Sequence, residues 1–167
     1  MRSGLVIGGC GALGRAVIEH FRHGGLRTVS VDFLDSDQAT KSIKLSPGHW
    51  GEQLAFLEKE LKEEEAFDVI YCAAGGWAGG SIESDTASLV ASIDKMLSFN
   101  LYSSIQTAKL ASLYLKKGGL VVFTGAAAAL GPCGGMLGYG ISKVRTHSKS
   151  RFVLELSLLT GWNASRG

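Results

Sequence analysis

The chain has 167 residues, of which 46% are hydrophobic and 19% charged, and its formal net charge is +2. This composition excludes an intrinsically disordered or fibrous chain, and no uninterrupted apolar run reaches the ~18 residues of a membrane-spanning helix. Residues 1–143 carry 13 basic and 14 acidic side chains, whereas residues 144–167 carry four basic ones and Glu155 alone; the near-neutral main part gives nucleic acid no evident hold.

Residues 4–9 read as a first strand and residues 12–23 as a helix, with Ala12, Leu13, Ala16, Val17, His20 and Phe21 at helical spacing. Gly24-Gly25 ends that helix. A second strand over 27–32 finishes in Asp32, and a short third one covers 42–45. Pro47-Gly48 precedes a helix over about 52–65, whose run 58–65 reads as a solvated face with ion pairs along the helix. Residues 67–72 form an apolar fourth strand suited to the middle of a parallel sheet, followed by a second glycine-rich loop over 73–80. Residues 86–98 and 100–117 read as helices, the latter closing at Gly118-Gly119, and 120–124 as the fifth strand. An alanine run and the loop 131–135 come next.

Strands alternating with helices predict an α/β fold: a Rossmann-type doubly wound parallel sheet with helices on both faces. A single domain is expected, residues 1–143 forming its working part and 144–167 a divergent C-terminal segment. Cys10, Cys72 and Cys133 lack metal-ligand spacing and read as buried free thiols in a reducing, cytoplasmic setting, and the N-terminus does not read as a signal peptide. No metal site is expected.

The turn between first strand and first helix is Gly8-Gly9-Cys10-Gly11-Ala12-Leu13-Gly14. Residues without a Cβ let the chain turn sharply and let a pyrophosphate approach, while unpaired N–H groups at the helix start attract its oxygens. Gly8, Gly9, Gly11, Ala12, Leu13 and Gly14 are therefore the candidate cofactor-binding residues of a dinucleotide site. Asp32, at the end of the second strand, can accept from both ribose hydroxyls and would repel a 2′-phosphate, so NADH is expected over NADPH. Tyr139 and Lys143, four residues apart, share one helical face. A lysine cation near a phenol favours the phenolate, which suits the pair to general acid catalysis, and the same lysine can bond a nicotinamide ribose.

The ordered set Gly8 to Gly14, Asp32, Ala73-Ala74-Gly75-Gly76, Asn100 and Tyr139-x-x-x-Lys143 resembles the short-chain dehydrogenase/reductase family. Within it, Ala74-Gly75-Gly76-Trp77-Ala78-Gly79-Gly80 and Gly134-Gly135-Met136-Leu137-Gly138-Tyr139-Gly140 are similar to the dihydropteridine reductase subgroup. The resemblance runs from about residue 4 to Lys143. It implies NADH-dependent reduction of quinonoid dihydrobiopterin to tetrahydrobiopterin, with a proton delivered through Tyr139 and Lys143 supporting it. It places Ala74, Gly75 and Gly76 at the cofactor and Trp77 against the pterin substrate or the nicotinamide; core packing is the other reading of Trp77. It also implies a homodimer built on a two-helix face.

Most of the broad family carries a catalytic Ser about 13 residues before the Tyr. That count lands on Ala126, and the subgroup likewise lacks the hydroxyl. Asn100 stands where the family has a helix-bending Asn, although an ordinary polar residue near a helix start is an equal reading. Beyond Lys143 the match ends, and the segment reads as an altered or shortened ending without the last sheet strands. Two other functions stay open: a catalytically impaired nucleotide-binding isoform that modulates a full-length dimer, and another short-chain reductase.

Overall fold

A computed structural model describes residues 1–127 and 135–147 of the chain. β1 (Ser3–Ile7) pairs on one side with β2 (Arg27–Asp32) and on the other with β4 (Phe67–Cys72). β3 (Lys41–Lys44) lies outside β2, and β5 (Leu115–Phe123) outside β4, so the parallel order is β3-β2-β1-β4-β5. The order reverses direction at β1. Right-handed crossovers then send α1 (Ala12–His23) to one face and α2 (Trp50–Glu60), α3 (Thr86–Met96) and α4 (Ser103–Tyr114) to the other. The expected doubly wound α/β sheet is the observed one.

Strand periodicity divides the side chains between the two layers. Leu5, Ile7, Val29, Val31, Ile43, Phe67 and Ile70 are buried against Leu57 and Leu61 of the α2 region and Leu110 and Ala111 of α4. Each such fully buried large side chain contributes about 1.5–3 kcal/mol of transfer free energy. Val6 and Ile18 are fully buried as well.

Four departures from the pattern reading have a visible cause in the structure, and the remaining boundaries move by at most two residues. β1 stops at Ile7 because Gly8, at φ 83°, already turns the chain. α2 stops at Glu60, and Glu64 is not part of a solvated helical face. Its side chain is only 10% exposed and pairs with Arg27 of β2 at 2.6 Å and Lys41 of β3 at 2.9 Å. The expected helix over 100–117 divides: Leu97–Tyr102 forms a π-helical stretch after α3, and α4 ends at Tyr114. Leu115 already pairs with Phe67, and Leu120 resumes opposite Val69 after a bulge in which Gly118 takes φ 80°. The chain therefore leaves the helix early and enters β5 through a bulge. Lys116 there reaches Asp68 at 2.9 Å.

α5 (Leu137–His147) carries Tyr139 and Lys143 and continues four residues past Lys143. Cys72 is buried and free as expected, whereas Cys10 is only partly buried. Cys133, most of the loop 131–135, the alanine run from 128 on and residues 148–167 lie outside the described residues.

Candidate active site

The glycine turn joins the ends of β1 and β2 through backbone bonds. Gly8 N–H donates to Val31 O at 2.8 Å, and Ala73 and Ala74 N–H groups both donate to Ile7 O at 2.8 Å. The two glycine-rich loops thus start side by side at the carboxyl edge of the sheet, where ligands of doubly wound folds bind. A Cβ at Gly14 would run into Gly8 O, so the first turn of α1 can lie against the strand end only with glycine there. At Gly11 the opposite holds: only Gly8 O stands near, at 3.5 Å from an ideal Cβ, and the space beyond is open.

A cavity of about 350 Å³ opens from this edge. Gly8, Cys10, Gly11, Asp32, Ala74 and Gly75 line one part of it, and Leu45, Trp50, Gln53, Tyr102 and Gln106 the other. Of the expected cofactor residues, Gly8, Gly11, Asp32, Ala74 and Gly75 therefore meet at one cavity. Gly9 and Gly14 are buried behind the turn, and Ala12 and Leu13 form the exposed start of α1. Asp32 is already engaged. One carboxylate oxygen accepts from Cys10 N–H at 2.8 Å and the other from Phe33 N–H at 2.7 Å. An ionised carboxylate offers about four acceptor positions, which leaves two for a ligand's hydroxyls. Burial, and then the nearby Asp32 carboxylate, push the Cys10 thiol pKa up, which keeps it a neutral thiol; it donates to Leu34 O at 3.2 Å.

Sequence reasoning did not single out Trp50, Tyr102, Gln53 or Gln106. The Trp50 and Tyr102 rings stack with centroids 5.4 Å apart and 23° between planes, and Gln106 donates to Trp50 O at 2.8 Å. These residues come from α2, the π-helical stretch and α4, so no local pattern links them.

Asn100 is fully buried in the π-helical stretch, which settles it as more than an ordinary helix-start residue. Its Oδ1 accepts from Gly76 N–H at 3.1 Å, and its Nδ2 lies 3.0 Å from Gly76 O and 3.2 Å from Ser142 Oγ on α5. Lys143 is 5% exposed, and its Nζ donates to Thr124 O at 3.1 Å, beyond β5. Burial pulls its pKa below the ordinary ammonium value. The ammonium lies 3.4 Å from where a Cβ at Gly75 would stand, directly under the loop that lines the cavity. Tyr139 is half-buried in the first turn of α5, and its carbonyl accepts from Ser142 Oγ at 2.9 Å. Trp77 lies apart from the cavity lining and is 61% exposed, so it is not a core residue.

The arrangement fits a dinucleotide. α1 begins without a side-chain cap and without an acidic residue in its first turn, so its leading N–H groups remain available to an anion. A side chain at Gly11 would fill the open approach to them. Among the described residues no group of three or more His, Cys, Asp or Glu side chains could hold a metal, and no helix is long and apolar enough to cross a membrane.

No protein-family profile matches the chain. A dihydropteridine reductase of Dictyostelium discoideum is 38% identical to it over 143 residues, which is 86% of this chain and 61% of that protein. A short-chain dehydrogenase family protein of Francisella tularensis superposes with a TM-score of 0.79 at 26% identity, covering 95% of this chain and 65% of the other. The aldohexose dehydrogenase of Thermoplasma acidophilum gives a TM-score of 0.79 at 21% identity, over 95% and 63% of the two chains. The chain thus spans about three fifths of the length of the curated relative it matches. It has the short-chain dehydrogenase fold, and over most of its length it resembles dihydropteridine reductase.

Proposed function

We propose that this chain carries the dinucleotide-binding and proton-donating part of an NADH-dependent reductase acting on a quinonoid dihydropterin. The observation that carries the reading is the convergence at one sheet edge of the glycine turn, Asp32 and the Gly75 loop, with the Lys143 ammonium beneath that loop. The substrate class rests on the 38% identity to a dihydropteridine reductase and on the Trp77 loop, whose indole is exposed.

The N–H groups at the start of α1 would hold the pyrophosphate, and Asp32 would accept from the adenosine ribose and disfavour a 2′-phosphate. A bound reduced nicotinamide supplies the hydride. Tyr139 holds the proton that neutralises the reduced pterin, and Lys143 keeps a positive charge near it and offers a donor to the nicotinamide ribose. Trp77 gives the pterin a flat apolar face. Ala126 leaves the site without a serine hydroxyl, which suits a conjugated imine-type acceptor better than a carbonyl that needs polarisation. For partners, a second copy is proposed to dock on α4 and α5, where Ile105, Leu113 and Ile141 are exposed; sedimentation tests this.

The test of function is NADH oxidation by the whole chain with a quinonoid dihydropterin, beside calorimetric NADH binding. Tyr139→Phe is expected to lower turnover about 10²–10⁴-fold while the NADH dissociation constant stays within about twofold. Unchanged turnover removes the proton-donor role, and NADH binding without pterin turnover removes the substrate assignment.

A further inference from the structure

Trp77 stands on a loop whose backbone is tied at nearly every residue around it, and its exposed indole lies over Gly79, with Cη2 3.7 Å from where a Cβ there would stand. Three residues spaced four apart along α3 and the π-helical stretch make the ties. Asn100 takes the N–H and carbonyl of Gly76, Met96 Sδ accepts from Ala78 N–H at 3.2 Å, and Ser92 Oγ donates to Gly79 O at 2.7 Å. Residues at i, i+4 and i+8 line one helical face, so the loop runs antiparallel along a single ladder. Asn100 belongs to the machinery already described; Ser92 and Met96 do not.

The same face also holds the turn that carries Tyr139. Gly80 N–H donates to Gly135 O at 3.1 Å, and Leu137 N–H donates to Gly80 O at 3.0 Å, a parallel bridge directly before α5. Gly138 packs so tightly on α3 that an ideal Cβ would stand 3.2 Å from Ile93 Cα and 3.3 Å from Met96 Cγ. Met96 itself is fully buried. Ser92 and Met96 therefore touch the Trp77 loop, and Ile93 and Met96 touch the start of the Tyr139 helix. An indole left exposed on an untied glycine-rich loop would have to be ordered each time a ligand stacked on it. A loop already fixed on both sides of Trp77 removes that ordering cost from binding.

We infer that Ser92 and Met96 are positioning residues that hold Trp77 as a preformed aromatic face, in register with the first turn of α5, for a flat conjugated ring. The pterin identity of that ring rests on the function proposed above; the positioning does not. The ladder sets where the ring can lie relative to Tyr139, and so acts on substrate affinity rather than on the dinucleotide.

The whole chain labelled with 5-fluorotryptophan tests this, with the Trp77 fluorine resonance assigned by its loss in Trp77→Phe. In Ser92→Ala and Met96→Leu the Trp77 resonance should narrow and move toward that of free fluorotryptophan, and Ser92→Thr should restore its position. With 7,8-dihydrobiopterin as probe, Ser92→Ala should weaken binding about threefold to tenfold, the range expected for one lost hydrogen bond, while NADH affinity stays within about twofold. A Trp77 resonance unmoved in both Ser92→Ala and Met96→Leu overturns the proposal, as does unchanged probe affinity in a chain that binds the probe. If the unaltered chain takes NADH but not the probe, the substrate reading fails, and the resonance shift alone decides the positioning role.

Discussion

Asn100 grips Gly76 by both of the glycine's backbone polar groups, and the same amide reaches Ser142 on α5. A carboxamide has an acceptor oxygen and two donor hydrogens, so one side chain can serve all three contacts. Asn100→Ala removes them together inside a fully buried site. It is expected to cost about 2–4 kcal/mol and lower the melting midpoint by roughly 5–12 °C. Asn100→Asp keeps the acceptor, loses both donor contacts and buries a carboxylate facing Gly76 O, so it should be at least as damaging. Thermal melting with and without NADH measures this. A loss below about 1 kcal/mol would mean that the glycine loop holds its place without Asn100.

What could be read from the sequence follows the range of the forces involved. The glycine turn and Asp32 are local: each depends on a strand end and a few backbone positions, and both were found where expected. The doubly wound parallel sheet followed from the alternation of elements, whereas the strand order β3-β2-β1-β4-β5 came only from the structure. The errors fell where tertiary contacts overrode local preference. Glu64 looked like one charge in a solvated helical run, yet it is recruited by Arg27 and Lys41 from two strands. Leu115 continued a helical pattern, yet Phe67 draws it into the sheet. Trp50 and Tyr102 could not be paired from sequence, since 52 positions separate two rings that now stack.

Asp32 carries two tasks that one substitution should separate. Its carboxylate holds Cys10 N–H and Phe33 N–H and still presents acceptor capacity to the cavity. Asp32→Asn keeps one acceptor oxygen for the turn but loses the negative charge. NADH affinity should fall about tenfold, and the preference for NADH over NADPH should narrow by at least as much, because the repulsion of a 2′-phosphate disappears. Calorimetric titration of both dinucleotides reads the two effects. An unaltered preference would take the discriminating role away from Asp32.

Glu64 is expected to matter for stability and not for binding. Hydrogen bonds from Arg27, aided by Lys41, hold its carboxyl below the usual glutamate value. Its folded pKa is depressed, so the stabilisation is complete above the unfolded value of about 4.3 and is lost as pH falls through the folded one. Arg27 and Lys41 are each about one third exposed, 32% and 36%, which limits the gain through solvent screening. Glu64→Gln should cost about 1–2 kcal/mol at pH 7 and less at pH 3, with NADH affinity unmoved. Urea denaturation at the two pH values distinguishes this from an uncoupled surface charge, which would show no difference between them.

Lys143 gives a pH dependence of the same sign in an alkaline window, but from a penalised charge rather than a stabilised one. Its ammonium is buried with Thr124 O as its hydrogen-bond acceptor, and desolvation holds its folded pKa below the unfolded 10.5. Between those two values the unfolded chain binds the proton more tightly than the folded one, so stability from this group rises with pH across that window. At neutral pH the burial of the charge is a cost carried in full. Lys143→Met removes the charge and leaves Thr124 O without that donor, a fixed penalty that does not titrate. Relative to Lys143→Met, the unaltered chain should therefore gain stability as pH is raised through the window that lies between its lowered folded pKa and 10.5. NADH binding, by contrast, should be weaker in Lys143→Met at every pH. Urea midpoints of both chains across that range read the stability term. A stability difference flat with pH would mean that Lys143 keeps an ordinary affinity for its proton, and that a nicotinamide ribose would meet it without any stored electrostatic strain.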